Sequence, residues 1–138
     1  MTPDELEAVR GALAPLVQVR VAYVFGSRVA GTFHSESDLD LAVHLARGLD
    51  AEARHRTYLA VVAAVTDALG AVGERVDIVD LDEASSAVGF KAIQGVCVCA
   101  RDPSERIALE VRIARRYDDD APYRALYRRA ARARWGAP

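Results

Sequence analysis

The sequence contains few cysteines, one lysine and no long apolar run, and two of these shortages exclude a class of site or protein. Cys97 and Cys99 are the only cysteines among 138 residues. Their spacing would put both on one face of a strand, and two cysteines are too few for a zinc site, so we expect them to pack as small apolar side chains. No apolar run approaches the ~20 residues that a membrane-spanning helix needs.

The N-terminal residues do not resemble a targeting segment. Residues 1–5 read MTPDE and are acidic, whereas a secretory signal peptide begins with cationic residues. The expected location is therefore the cytoplasm, with no membrane partner. The length of 138 residues suits one domain with a substantial core and leaves no room for a separate substrate domain. We expect the core at about residues 20–100 and C-terminal helices at about residues 103–134.

Charge is distributed unevenly along the chain. The net charge is −2, but residues 1–100 carry 8 Lys and Arg against 14 Asp and Glu, while residues 101–138 carry 10 Arg against 6 acids. An Arg-rich tail can bind nucleic acid, but such helices also mark protein interfaces, and the overall balance is not that of a dedicated nucleic-acid binder. Direct nucleic-acid binding is therefore not expected, and the tail is either a solvated helix face or an interface.

Capping signals and apolar periodicity predict the order of helices and strands. The predicted helices cover about residues 2–17, 50–69, 85–94, 103–117 and 122–133, and the predicted strands cover residues 20–25, 39–45, 74–81 and 96–100. This order is typical of an α/β (α+β) fold, in which a small sheet carries helices on one face and a helical tail follows. Three histidines, His34, His44 and His55, fall on different predicted elements and are expected at the surface.

Two short motifs stand at the ends of the first two predicted strands. Gly26 and Ser27 follow the first strand, and Asp38 and Asp40 open the second. Residues two apart on a strand point to the same side, so the two carboxylates would project together and repel each other unless a cation lies between them. Mg²⁺ is typically held by one or two carboxylates and substrate phosphates. Gly26 would let a phosphate approach the backbone, and Ser27 would supply a hydroxyl and an N–H group.

Gly26-Ser27 followed after ten residues by Asp38-x-Asp40 resembles the signature of the DNA polymerase β-like nucleotidyltransferase superfamily. The sequences of residues 25–28, FGSR, and of residues 37–43, SDLDLAV, are similar to those of the minimal nucleotidyltransferases (MNT). Motifs support the resemblance over roughly residues 20–100, and the helix layout supports it beyond them. The resemblance implies a small mixed sheet of the polymerase β palm type.

A third carboxylate is expected near the pair, and the predicted third strand offers Asp77, Asp80 and Asp82. If Asp77 faces the site, Val76 and Ile78 face the packed helices, as the apolar residues of the second strand do. If Asp80 faced the site, Asp77 would be an unpaired carboxylate on the packed side, which is costly. Asp77 is therefore the predicted third carboxylate and also matches the MNT pattern, while Asp80 and Asp82 are predicted as strand-end or cap residues.

The resemblance implies a Mg²⁺-dependent transfer of a nucleotidyl group from ATP. The phosphates would lie against Gly26 and Ser27, with Arg28 as a further candidate contact. Asp38, Asp40 and Asp77 would hold two Mg²⁺ ions about 3.5–4 Å apart, and Asp77 would help to deprotonate or orient the acceptor hydroxyl.

The best-understood MNT proteins are antitoxins paired with HEPN ribonuclease toxins. The resemblance therefore implies a HEPN toxin as partner, a hetero-oligomer with it, and AMP transfer to a toxin tyrosine. One departure is Ala30, because MNT relatives often carry an Arg at this position. The alternatives are a non-catalytic antitoxin, a nucleotide sensor that binds ATP without transfer, and a small-molecule nucleotidyltransferase of the antibiotic-modifying type.

Overall fold

A computed structural model describes residues 1–26, 39–70 and 75–136. The helices within these ranges are α1 (Pro3–Leu13), α2 (Ala51–Leu69), α3 (Ser86–Ile93), α4 (Pro103–Asp119) and α5 (Ala121–Trp135), and the strands are β1 (Val19–Phe25), β2 (Leu39–Leu45), β3 (Val76–Asp80) and β4 (Val96–Ala100). Every predicted helix and strand is present. The largest boundary difference is at the end of α1, which stops at Leu13 instead of Val17.

The four strands form one mixed sheet in the order β3-β2-β1-β4. β1 pairs antiparallel with both β2 and β4, whereas β2 pairs parallel with β3. The parallel pair is connected through α2, the crossover helix that a parallel connection requires. This arrangement confirms the predicted mixed sheet and fold class. None of the helices in the described ranges is long and apolar enough to cross a membrane.

Helices cover both faces of the sheet, which corrects the prediction that they lie on one face. On the first face, α1 and α2 contribute Val9, Leu13, Val61 and Val65 to a cluster of buried residues with alternate positions of β1 and β2. On the second face, α3 and α4 contribute Ala92, Leu109 and Ile113 to a separate cluster with the intervening positions. Only α5 is a tail, because α4 belongs to the core.

The physical reason for two covered faces is the composition of β1. Its residues 21–25 read VAYVF and are all buried, so both faces of the strand are apolar. Val21, Tyr23 and Phe25 belong to the second cluster, while Ala22 and Val24 belong to the first. A strand that is apolar on both faces must be covered on both faces, and this signal was available in the sequence.

The two cysteines lie on opposite faces, although their spacing predicted one face. Cys97 is opposite Tyr23 and packs on the second cluster, whereas Cys99 is opposite Ala22 and packs on the first. The pairing of β1 with β4 shifts register between these two positions, and an irregularity of this kind reverses the alternation of side chains. Both cysteines are half-buried free thiols, as expected for small apolar side chains, and burial raises the pKa of each thiol.

Arg101 fastens the end of α1 to the sheet. Its guanidinium donates hydrogen bonds to the carbonyl oxygens of Leu13 (2.7 Å), Ala14 (2.9 Å) and Leu16 (3.1 Å), and also to Val19 at the start of β1 (3.0 Å). The last carbonyls of a helix have no partner within the helix. Arg101 donates to these carbonyl oxygens at the point where the helix ends, just before Pro15.

We expect Arg101→Ala to lower the free energy of unfolding by about 2–3 kcal/mol, because several carbonyls lose a charged donor. Urea denaturation followed by circular dichroism measures this loss. Arg115→Ala, at an exposed position of α4, is the matched control and should change stability by less than about 0.5 kcal/mol. Equal effects of the two substitutions would contradict a structural role for Arg101.

Candidate active site

Asp40 and Asp77 are neighbours across the parallel pair of strands. Asp40 on β2 is aligned with Asp77 on β3, and adjacent strands lie about 4.8 Å apart. Val76 and Ile78 pack on the first cluster, so Asp77 faces the opposite side. Asp40 faces that side too, because its neighbours Leu39 and Leu41 also belong to the first cluster. The structure therefore has the facing that was predicted for Asp77.

The backbone at Gly26 lies against the carboxylate of Asp40. Gly26 follows β1, Phe25 is aligned with Asp40, and the φ angle of Gly26 is +84°. A Cβ atom at Gly26 would collide with the Asp40 carboxylate, at 3.1 Å from its Cγ atom. Glycine is required here for two reasons, the left-handed φ and the space for Asp40. The turn that was predicted to admit a phosphate therefore also sets the position of a predicted metal ligand.

Gly95, which directly follows the predicted helix over residues 85–94, packs against the end of β1 that leads into the same turn. A Cβ atom on Gly95 would lie 2.8 Å from the Cβ atom of Phe25 and would also collide with the carbonyl oxygen of Val24. The close approach holds the end of β1 against the segment between α3 and β4. A glycine directly after a short helix was the only available signal.

Asp80 points to the other face of the sheet and takes part in a part-buried ion pair. Its side chain is 8% exposed and accepts hydrogen bonds from the Arg54 guanidinium and the Tyr58 hydroxyl, both on α2. Burial, followed by the hydrogen bond to Asp80, raises the pKa of Tyr58 to about 12. Asp80 also accepts the backbone N–H of Asp82 at 2.9 Å, which agrees with its predicted strand-end role. Asp80 therefore does not contribute to the site formed by Asp40 and Asp77.

Asp82 is likewise occupied by other groups. It lies 3.1 Å from Nδ1 of His44 and accepts a hydrogen bond of 2.9 Å from Arg112. The hydrogen bond with His44 is the main reason why the pKa of Asp82 is lowered. His44 itself is half-buried on β2, so the expectation that it is a surface residue was wrong.

Several predicted site residues lie outside the described ranges. They are Ser27, Arg28 and Asp38, together with Ala30 of the departure from the MNT pattern. Within residues 1–26, 39–70 and 75–136, no group of three or more His, Cys, Asp or Glu side chains is arranged to hold a metal ion. Asp40 and Asp77 make two hard oxygen donors side by side, which suit Mg²⁺, and Asp38 is needed for the predicted set of three. Its role, like those of Ser27 and Arg28, stays a prediction.

Comparison with known proteins identifies the family of the chain. Residues 7–104 match the family model described as "Polymerase beta, Nucleotidyltransferase". The chain belongs to this family. A comparison with curated protein sequences gave no match.

Solved structures of similar fold come from toxin–antitoxin complexes. A chain from a toxin–antitoxin crystal structure with AMP-PNP has 24% identity and a TM-score of 0.68, and the match covers 91% of this chain and 97% of that one. A chain from the MntA–HepT complex has 21% identity and a TM-score of 0.63, with coverages of 91% and 96%. A chain from the complex of a tri-AMPylated Shewanella oneidensis HEPN toxin with its MNT antitoxin has 21% identity and a TM-score of 0.61, with coverages of 91% and 98%. These chains share the fold of this nucleotidyltransferase.

We expect Gly26→Ala to weaken binding of Mg·ATP by at least about tenfold, the effect of 1.4 kcal/mol, because the new methyl group displaces the Asp40 carboxylate. Isothermal titration calorimetry with a non-hydrolysable ATP analogue measures the affinity. Gly48→Ala is a matched control, because Gly48 has the same φ of +84° but open space around it. Gly48→Ala should lose about 1–2 kcal/mol of stability and bind nucleotide normally. Normal nucleotide binding by Gly26→Ala would contradict the proposed role of this contact.

Substitutions of Asp77 and Asp80, the two acids of β3, should have different effects on the free energy of unfolding. Asp80→Asn should lower the free energy of unfolding by about 1–3 kcal/mol, because it removes the charge that pairs with the part-buried Arg54. Asp77→Asn should change it by less than about 0.5 kcal/mol, because Asp77 is exposed. Urea denaturation of both variants tests this, and equal stabilities would show that the two facings are wrongly assigned.

Proposed function

We propose that this chain is a Mg²⁺-dependent adenylyltransferase that transfers AMP from ATP to a tyrosine of a cognate HEPN ribonuclease toxin and thereby neutralises the toxin. The observation that carries the proposal is the alignment of Asp40 with Asp77 on one face of the sheet, with the Gly26 backbone against Asp40. Membership of the nucleotidyltransferase family supports transfer of a nucleotidyl group in general. The choice of AMP and of a toxin tyrosine is the finer part of the proposal.

The residues of the site form two groups, one that would bind metal and one that would bind the phosphates. Asp38, Asp40 and Asp77 would hold Mg²⁺, and the turn at Gly26 and Ser27 would receive the phosphates, with Arg28 as a further contact. When bound, Mg²⁺ supplies positive charge that stabilises the attacking and leaving oxygens of an in-line displacement. The tyrosine oxygen bonds to the α-phosphorus while the bond to the β,γ-pyrophosphate breaks, and Asp77 orients the hydroxyl and accepts its proton.

The exposure of Asp77 supports a macromolecular acceptor. Asp77 is exposed at the edge strand β3, so a tyrosine on another protein can reach it without any opening of the fold. A transferred AMP would add a phosphate charge and bulk to the toxin surface, which explains how modification could neutralise an RNA-cleaving enzyme. The similar chains in toxin–antitoxin structures, one with AMP-PNP and one with an AMPylated HEPN toxin, support the same partner and nucleotide.

A binding-only antitoxin is the second candidate, and Ala30 is the observation that favours it. If the Arg common at this position in MNT proteins grips the triphosphate, its replacement by Ala30 weakens transfer. In that case the chain would neutralise its toxin by occupying the RNA site.

Intact mass spectrometry of the toxin after co-expression tests the proposal. A cognate HEPN-family toxin, sought first among the reading frames adjacent to that of this chain, should gain mass in multiples of one AMP when it is co-expressed with the wild type. Co-expression with the double variant Asp38→Asn/Asp40→Asn should reduce the modified fraction at least about 100-fold, the order of loss when preorganised charge stabilisation is removed. Asp67→Asn, at an exposed position of α2, is the control and should leave the modification intact.

Either of two results would contradict the catalytic proposal. A toxin that carries no AMP but is still neutralised would establish the binding-only candidate. A toxin modified equally by the wild type and the double variant would place the chemistry at other residues.

A further inference from the structure

Among residues 1–26, 39–70 and 75–136, the contacts that hold the last helix, α5, lie at its first turn. Ser86 donates a hydrogen bond of 2.5 Å to Asp120, and the Arg124 guanidinium lies 3.6 Å from the ring centroid of Tyr117. Arg124 also donates to the carbonyl oxygen of Tyr117 at 2.6 Å, and Tyr117 stacks on Phe90. The other four helices each bury at least two residues, whereas α5 buries none. We call α5 (Ala121–Trp135) the arm, because its first turn is anchored to α3 and α4 and the rest of it buries no residue.

The arm carries an apolar stripe on one side. Tyr123, Leu126, Tyr127 and Ala130 follow the spacing i, i+3, i+4 and i+7, which places them on one face. The first three are 71%, 58% and 80% exposed. A helix of 15 residues without packing is marginally stable in water, so a surface that covers this stripe would stabilise it. The spacing is that of anchors by which an amphipathic helix lies in a groove of another protein.

The positive charge of the arm indicates the charge of the surface that it would bind. Residues 121–138 contain five Arg and no acid, so thirteen basic and all twenty acidic residues lie in residues 1–120. Arg129 borders the stripe beside Leu126, and Arg134 follows Ala130 by one turn on the same side of the helix. A second arm of the same kind would be repelled by the like charge. The complementary surface is an apolar groove with acidic residues along its rim.

We propose that α5 is the element by which this chain docks its partner protein, and that the partner presents an apolar groove with an acidic rim. The proposal rests on the proposed function, in that the partner is the same HEPN protein that accepts AMP. None of the residues that hold α5 belongs to the carboxylate site, so docking and nucleotide transfer use separate parts of the chain.

Affinity measurements on the full chain test the proposal. The probe is the same HEPN-family toxin as in the mass measurement, and Asp40→Asn is present throughout so that binding is measured without modification. Leu126→Glu/Tyr127→Glu should raise Kd at least about 30-fold, as for loss of interface hot spots. Arg129→Glu/Arg134→Glu should also raise Kd and make it less sensitive to NaCl, because fewer charge pairs remain to be screened. Leu59→Glu, at a 56% exposed position of α2, is the matched control and should leave Kd unchanged.

Each other outcome has a definite meaning. Unchanged toxin binding by the stripe variant, with AMP transfer intact in the otherwise wild-type chain, would overturn docking through α5 and leave the proposed function standing. Tight binding that depends on the stripe, with no AMP transfer by the wild type, would support the docking and contradict the transfer. A wild type that neither binds nor modifies the HEPN protein would overturn both.

Two further assays decide against other occupants of the arm. If light scattering shows a dimer that the stripe variant loses while toxin binding is unaffected, the arm docks a second copy and the proposal is wrong. If fluorescence anisotropy with a labelled single-stranded RNA shows binding that only Arg129→Glu/Arg134→Glu removes, again with normal toxin binding, the arm binds nucleic acid and the proposal is also wrong. Intact helical circular dichroism of each variant, together with an unchanged affinity for the ATP analogue when the same substitutions are made in the chain that keeps Asp40, confirms that the core is folded.

Discussion

The antiparallel pairing of β1 with β2 is the interaction on which the rest of the structure depends. It aligns Phe25 with Asp40, and so it joins the glycine turn to the carboxylate in one rigid unit. Both strands are buried almost throughout, so packing on two sides restrains this pair. β3 then adds parallel to β2, and the same register that aligns their apolar residues brings Asp77 beside Asp40. The precision of the site is thus a consequence of ordinary core packing.

Side chains along β3 alternate between the two faces of the sheet, and this gives its two acids different roles. Asp77 lies on the exposed side with no need of a structural partner, while Asp80 lies on the packed side and requires Arg54 and Tyr58. The cost of a buried carboxylate is offset by two donors from one helix, spaced four residues apart on α2. Like-charged residues so close in sequence therefore avoid mutual repulsion by facing in opposite directions.

The parts of this fold that follow period-two or period-3.6 patterns could be predicted from the sequence, and so could the facing of Asp77. The second helical layer was missed, although the unbroken apolar run of β1 indicated it, because the helices of the core were all placed on one face and α4 was placed in a tail. The pairing of Asp80 with Arg54 could not be foreseen, since it joins residues 26 positions apart whose contact depends on how α2 crosses the sheet. The opposite facings of Cys97 and Cys99 depend on a register shift, and no local pattern marks it.

The fastening of α1 by Arg101 also has a consequence for how the chain is made. Arg101 and Leu13 are 88 residues apart, and β4, which completes the sheet beside β1, ends at the residue before Arg101. At a synthesis rate of about 5–20 residues per second, roughly 4–18 s pass on the ribosome between the emergence of the helix and that of the residue that secures it. The first helix is therefore among the earliest parts to be synthesised and among the last to be locked. During translation its apolar side depends on α2 for cover, and a nascent chain stalled before β4 would expose one edge of β1 to other chains.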